Sequence, residues 1–275
     1  MTPESAPGAS DLPEAPVRLQ RSGSVLTLTI HRPQRLNALD VPSFRRLRLE
    51  LEAAALDRSV RCVLLTGAGS AFCAGGDVAV MEEHRAEGTL DRLFHELTGE
   101  QELSVRTIMN MPKPVVAALP GVAAGGGLSL ALACDWRIAS PKALLVPAFP
   151  QLGAVPDGGL TYLLPHYLGI GGAQELLFRN ARLSAESARD LGLVHEICPA
   201  EELTVRALDR ARELSEGPTR EYGILKQLML SAFSESLDTQ MVLERRSAVE
   251  AARGPELPEG IRAFIEKRRP RFPSP

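Results

Sequence analysis

The pattern of apolar and polar positions changes period several times along the chain. The β-branched run VLTLTI, Val25–Ile30, reads as a strand. Beyond HRP, Asp40 is placed to cap a helix running to about Leu56. Phe44, Leu47, Leu51 and Ala54 fall at helical spacing on one side of it. VRCVLLT at residues 60–66 predicts a second strand, with GAGSAFCAGGD as its glycine-rich exit loop. Helical segments are expected over about residues 78–110. PKPVVAALPG predicts a buried strand ending in a turn, and GGGLSLALACD a loop entering a helix of small residues. DWRIAS reads as another strand, and LLVPAFPQLGAVPDGG mostly as loop and turn. Ser184 is placed to cap a further helix, LVHEI is the last strand, and helix is expected from Pro199 onward. Strands alternating with helices point to an α/β core over residues 17–198, with an α-helical region over residues 199–275. No internal repeat is visible.

Composition narrows the partners. The chain has 275 residues, 44% hydrophobic and 24% charged, which are ordinary values for a globular protein able to bury a large core. Its 31 basic and 34 acidic residues give a net charge of −3, and aromatics are only 4%. That balance argues against a nucleic-acid binder, which needs a basic face and stacking platforms. Cys62, Cys73, Cys134 and Cys198 form no CxxC, and the five histidines form no HExxH, so no metal site is expected. A reducing, cytoplasmic setting is the simple expectation. Residues 1–16, rich in Pro, Ala, Ser and acid, lack a basic start and an apolar core, and read as a disordered leader. The 21 residues 114–134 carry no charge, the length of a membrane span. Pro114, Pro120 and the run Gly125-Gly126-Gly127 divide them, so strand, loop and helix fit better and no membrane partner is expected.

The glycine loops admit several chemistries. Gly67-Ala68-Gly69 follows a strand, but a dinucleotide fingerprint needs glycine where Phe72 stands. A phosphate-binding loop needs a lysine that is missing. Gly127-Leu128-Ser129-Leu130-Ala131 is one residue from the GxSxG nucleophile elbow, with Asp157, His166 and His195 later in the chain. Ala131 replaces the second glycine that the tight elbow requires, and a buried or capping Ser129 is the plainer reading. If Gly126 opens a helix, its N–H lies at the positive end of the helix dipole. A second N–H from Gly75 or Gly76 could meet the same oxygen, and two such donors make an oxyanion hole. The plain alternative is that both glycine loops are turns.

HRPQRLNALD, AFCAGGD, KPVVAALPGVAAGGGLSLALACD and LSAESARDLGLVHEI, in this order and spacing, resemble the crotonase (enoyl-CoA hydratase/isomerase) superfamily over about residues 17–272. VPDGGLTYLLPHYLG and the tail SLDTQMVLERR…GIRAFIEKRRPRF are similar to the enoyl-CoA isomerases of phenylacetate pathways, with Leu160 departing from a usual threonine. The resemblance implies an α/β fold, a spiral of ββα units followed by a C-terminal helical trimerisation region. It also implies homotrimers or hexamers and an acyl-CoA thioester substrate, with coenzyme A entering as part of the substrate and no other cofactor. It assigns the oxyanion donors to Gly76 and Gly126. Arg35, Leu36 and Ala38, with Ala74, Gly75, Asp77 and Val78, would border the CoA ester. Phe264 and Lys267 would reach the CoA of a neighbouring subunit, although a solvated Lys267 is the plain alternative.

The departures bear on the reaction. Hydratases of this family activate water with two glutamates, and those positions fall here at Ser129 and Phe149. Neither can serve as a carboxylate base. Asp157, in the PD turn where the similar isomerases keep their acid/base group, remains. Apolar neighbours such as Phe149 and Val155 should raise its pKa. One such base suffices to move a double bond from C3 to C2 of an enoyl thioester. Without the resemblance, Asp157 is an ordinary turn-former. Glu83 and His84 read as a solvated helix face, and His31, Tyr162 and His166 as structural. Three alternatives stay open, namely a hydratase or decarboxylase using another base, a catalytically silent acyl-CoA-binding homologue, and a serine hydrolase through Ser129.

Overall fold

The computed structural model describes residues 15–272. Nearly all of the leader expected over residues 1–16 therefore lies outside the described residues. The first strand, β1 (Val17–Ser22), turns at Gly23 into β2 (Val25–Ile30) as an antiparallel hairpin. Of β1 only Val17 is fully buried, so this edge strand shows none of the alternation that would announce it. Asp40 caps α1 (Val41–Leu56) by accepting the Ser43 N–H, and the expected face of Phe44, Leu47, Leu51 and Ala54 is buried.

Then come β3 (Cys62–Gly67), β4 (Ala71–Cys73), α2 (Val78–Glu87) and α3 (Leu90–Asn110). They are followed by β5 (Val115–Leu119), β6 (Val122–Ala124), α4 (Gly126–Ala133), β7 (Trp136–Ala139) and β8 (Leu144–Val146). Next are α5 (Leu160–Phe178), broken at Gly169, and then β9 (Leu183–Ser184), α6 (Ala185–Asp190) and β10 (Glu196–Ile197). Four helices follow, α7 (Leu203–Glu216), α8 (Thr219–Ser231), α9 (Leu237–Arg253) and α10 (Glu256–Ile265).

The strands form two sheets. The larger has the order β1-β2-β3-β5-β7-β10 and is parallel from β2 onward. The smaller has the order β4-β6-β8-β9. Each successive pair, β3/β4, β5/β6 and β7/β8, gives its first strand to the large sheet and its second to the small one. The chain thus winds as a spiral, as the resemblance implied. The stretches expected to be loop at GAGSAFCAGGD and LLVPAFPQLGAVPDGG contain β4 and β8. Strands of three residues are too short to show a period. α5 is masked in the sequence because Pro165 and three glycines interrupt it.

β3 and β5 are apolar almost throughout because helices cover both faces of the large sheet. One face packs with α1 and α3 in the main core. On the other, Leu203, Ala207 and Ala211 of α7 pack against Val25, Cys62, Leu64, Val116, Ala118 and Ile138. α7 is therefore part of the sheet's packing although it follows residue 198. Lys226 of α8 anchors the next helix by donating to the Ile108 and Lys113 carbonyls and to Asp135. All four cysteines are buried and unpaired, and burial pushes the Cys73 and Cys134 thiols up to about 12. Among the described residues no helix is long and apolar enough to cross a membrane.

Candidate active site

β4, β6 and β8 are parallel neighbours in the small sheet. Their carboxyl ends therefore open on one edge, and the three loops leaving them line a cleft of about 220 Å³. The first loop supplies Ala74, Gly75, Gly76 and Val78, the second Gly125 and Gly126, and the third Phe149 and Asp157. Met81, Phe94, Leu97 and Gln101 of α2 and α3 close the opposite side.

The first two loops touch backbone to backbone. Gly75 has φ +93°, and a Cβ there would lie 2.8 Å from the Ala124 carbonyl oxygen and 3.2 Å from the Gly126 nitrogen. Only glycine allows that approach. Gly126 is the first residue of α4, so its N–H has no acceptor within the helix and sits at the positive end of the dipole. The bonds that anchor these loops run from Leu39 N–H to Gly75 O (2.7 Å), from Asp77 N–H to Leu39 O (3.0 Å) and from Gly125 N–H to Val146 O (3.1 Å). Among the described residues they leave the N–H groups of Gly76 and Gly126 unused. Two donors at one end of one cleft can hold a developing oxyanion.

Asp157 is half-buried and lines the same cleft. Its Oδ1 accepts from Gln101 Nε2 at 2.6 Å. Burial pushes its carboxyl above the usual carboxylate range, and the Gln101 bond opposes that rise. Phe149, one of the two apolar neighbours expected, lines the same cleft. Val155 does not, because it is 84% exposed and absent from the cleft wall. Among the described residues that line the cleft, Asp157 is the single ionisable side chain.

Ser129 is wholly buried, and its Oγ donates to the Asp157 backbone carbonyl at 3.0 Å. The serine-hydrolase reading fails on its base. His166 packs its ring on Tyr162 and Phe233, and His195 stacks on Trp136 with Nδ1 accepting the Arg137 N–H. Neither histidine lines the cleft.

The remaining sequence candidates are dispersed. Arg35, Leu36 and Ala38 belong to a strap beside the first loop, where Leu36 O accepts the Ala74 N–H at 3.1 Å. The strap is held by Asn37, at φ +59°, whose side chain donates to Ala68 O and Ala71 O and accepts from Arg32 N–H. Asp77 is 5% exposed and turned inward, where it accepts the Ala79 N–H and pairs with Arg32 at 3.2 Å. Its carboxylate therefore secures α2 and the strap. Phe264, 84% exposed on α10, and Lys267 just beyond it do not line the cleft of their own chain. His84 bonds Thr89 at the junction of α2 and α3. Sequence reasoning missed Gln101 altogether. Its one signal was a polar residue at a core position of the stripe Leu93, Leu97, Gln101, Val105 and Ile108.

Comparison with known proteins bears on the family and the fold. The family described as enoyl-CoA hydratase/isomerase matches residues 20–275. The 1,2-epoxyphenylacetyl-CoA isomerase of Escherichia coli strain K12 is 38% identical over 90% of this chain and 94% of its own length. The short-chain-enoyl-CoA hydratase of Clostridium acetobutylicum is 31% identical over 92% of this chain and 95% of its own. The crystal structure of an enoyl-CoA hydratase from Polaromonas sp. JS666 superimposes with a TM-score of 0.88 at 33% identity, covering 94% of this chain and 99% of that one.

Proposed function

The chain belongs to the enoyl-CoA hydratase/isomerase family, and on that premise we propose that it shifts the double bond of a 3-enoyl-CoA to the 2-position. The thioester oxygen would lie between the N–H groups of Gly76 and Gly126, which makes the C2 proton acidic. Asp157 takes that proton as the C2–H bond breaks, and the electron pair moves onto the oxygen as an enolate. The same carboxyl then returns a proton at C4, and the π bond settles between C2 and C3. One oxyanion donor contributes ~10²–10³-fold, and the acid/base group ~10²–10⁴-fold.

The observation that carries this reading is that, among the described residues, Asp157 is the one ionisable side chain on the cleft wall. One carboxyl can move a proton within a substrate. The two-glutamate hydration of the family's hydratases has Ser129 and Phe149 in its place. The name of the 38%-identical isomerase extends the substrates to ring-bearing CoA esters, and the apolar wall with Phe94 and Phe149 suits such a group. On the same reading, Arg35, Leu36, Ala38, Ala74 and Val78 border the CoA ester. Phe264 and Lys267 serve a neighbouring subunit of a homotrimer or hexamer in the cytoplasm.

The test is NMR of 3-hexenoyl-CoA with the protein in D₂O. The expected result is migration of the double bond with deuterium at C2 and C4, abolished in Asp157→Asn while the ester still binds. A product hydrated at C3 would replace the isomerase with a hydratase. Full turnover by Asp157→Asn would remove Asp157 as the base. Binding of both hexenoyl and ring-bearing esters with turnover of neither would leave a silent binder.

A further inference from the structure

We infer that Gln101 is a positioning residue, a wedge that holds the Asp157 carboxylate at a set distance from the Gly126 oxyanion donor. The inference rests on Asp157 being the acid/base group. Gln101 is only 2% exposed, in the middle of α3 and on its apolar stripe. Its amide nitrogen donates to Asp157 Oδ1 at 2.6 Å. A donated bond of this kind favours the ionised carboxylate, the form that abstracts a proton.

The amide is also gripped from both catalytic loops. A Cβ on Gly126, which opens α4, would lie 2.4 Å from Gln101 Oε1. A Cβ on Gly158, the residue after Asp157, would lie 2.1 Å from Gln101 Nε2. The two glycines therefore leave a slot one amide thick between the oxyanion loop and the base. The wedge stands on a fixed helix, because the neighbouring Glu100 accepts from Arg45 (2.7 Å) and Arg48 (2.6 Å) of α1. Ser129 completes the arrangement by fixing the Asp157 main chain, while Gln101 fixes its side chain. No other ionisable side chain among the described residues lines the cleft, and the Gln101 amide is the side chain that bonds the Asp157 carboxylate there.

The experiment uses full-length protein carrying [4-¹³C]aspartate, with the Asp157 signal identified by its loss in Asp157→Asn. Gln101→Met keeps the length and bulk of the side chain without the donor. It should raise the Asp157 titration midpoint by about one unit. Gln101→Glu should raise it further, because two carboxylates at this distance resist joint ionisation. With 3-hexenoyl-CoA, Gln101→Met should lower kcat on the order of 10–100-fold. KM should stay nearly unchanged, and the acidic limb of kcat/KM should move up with the midpoint. Gln101→Asn, whose amide is one methylene short, should shift the midpoint in the same direction and serves if Gln101→Met does not fold. An unmoved midpoint, or a rise in KM with kcat unchanged, overturns the inference. An inactive Asp157→Asn beside a normal Gln101→Met sinks the wedge and leaves the isomerase reading standing. An active Asp157→Asn removes Asp157 as the base, and with it the role of Gln101 in catalysis.

Discussion

At Asp157 two influences oppose each other. Burial favours the neutral acid and the Gln101 amide favours the anion, with burial the larger. The base must be ionised to act, so kcat/KM should fall as the pH drops through a midpoint above the ordinary carboxylate range. A pH–rate profile measures this. The same shift has a consequence for stability. A carboxyl whose pKa is raised in the folded state binds its proton more tightly there than in the unfolded chain. Its favourable contribution is present at low pH and is lost as the pH rises through the folded pKa. Above that folded midpoint the Asp157 charge is held at a cost, and there Asp157→Asn should leave Tm unchanged or higher while activity disappears. Calorimetry decides it, and a drop of several degrees would contradict the assignment. Of the residues in this site, Asp157, Gly76 and Gly126 were legible because their motifs are local. Gln101 was not, because its partners Asp157, Gly126 and Gly158 are distant in sequence.

Among the elements, the long ones announced themselves and the short ones did not. α1 carries its own start signal in Asp40, and that N-cap can be tested. Asp40→Ala removes the acceptor of the Ser43 N–H and a 2.9 Å pair with Arg32. It should cost about 1–2 kcal/mol in urea unfolding with the m-value unchanged. A cost near zero would mean that the Arg32 cluster, through Asp77, holds the strap without it. β4, β6 and β8 are three residues each, too short for periodicity, yet their parallel pairing sets the three site loops side by side. The elements that place the chemistry are thus the ones with the weakest local signal.

Across the whole molecule, the C-terminal helices are joined to the α/β core by a buried charge. Lys226 is 7% exposed and pairs with Asp135 at 2.8 Å, while Asp135 also accepts the Val115 N–H. Lys226→Met would leave the half-buried Asp135 without its cation and two backbone carbonyls without their donor. A loss of about 3 kcal/mol is expected, read by chemical denaturation. A loss below about 1 kcal/mol would mean that water replaces the ammonium. Beyond this anchor, Leu237, Met241, Ile261, Phe264 and Ile265 of α9 and α10 stay exposed on a single chain. Large apolar side chains gathered on two helices suit a contact between copies. Light scattering of purified protein should give three or six times the chain mass, and a monomer at micromolar concentration would remove the subunit contact proposed for Phe264 and Lys267.

The sequence by itself determined the alternation of strands and helices, the glycine loops, the acid in the PD turn and, through its motifs, the family. These are local properties, set by period, capping and backbone freedom within a few residues. The tertiary structure alone decided that Ser129 is a tether, that Val155 points to solvent while Phe149 lines the cleft with Asp157, and that Gln101 fills a slot between two glycines. Each of these depends on which strands lie side by side in the small sheet. That pairing brings together segments dozens of residues apart, and no local pattern encodes the distance between them.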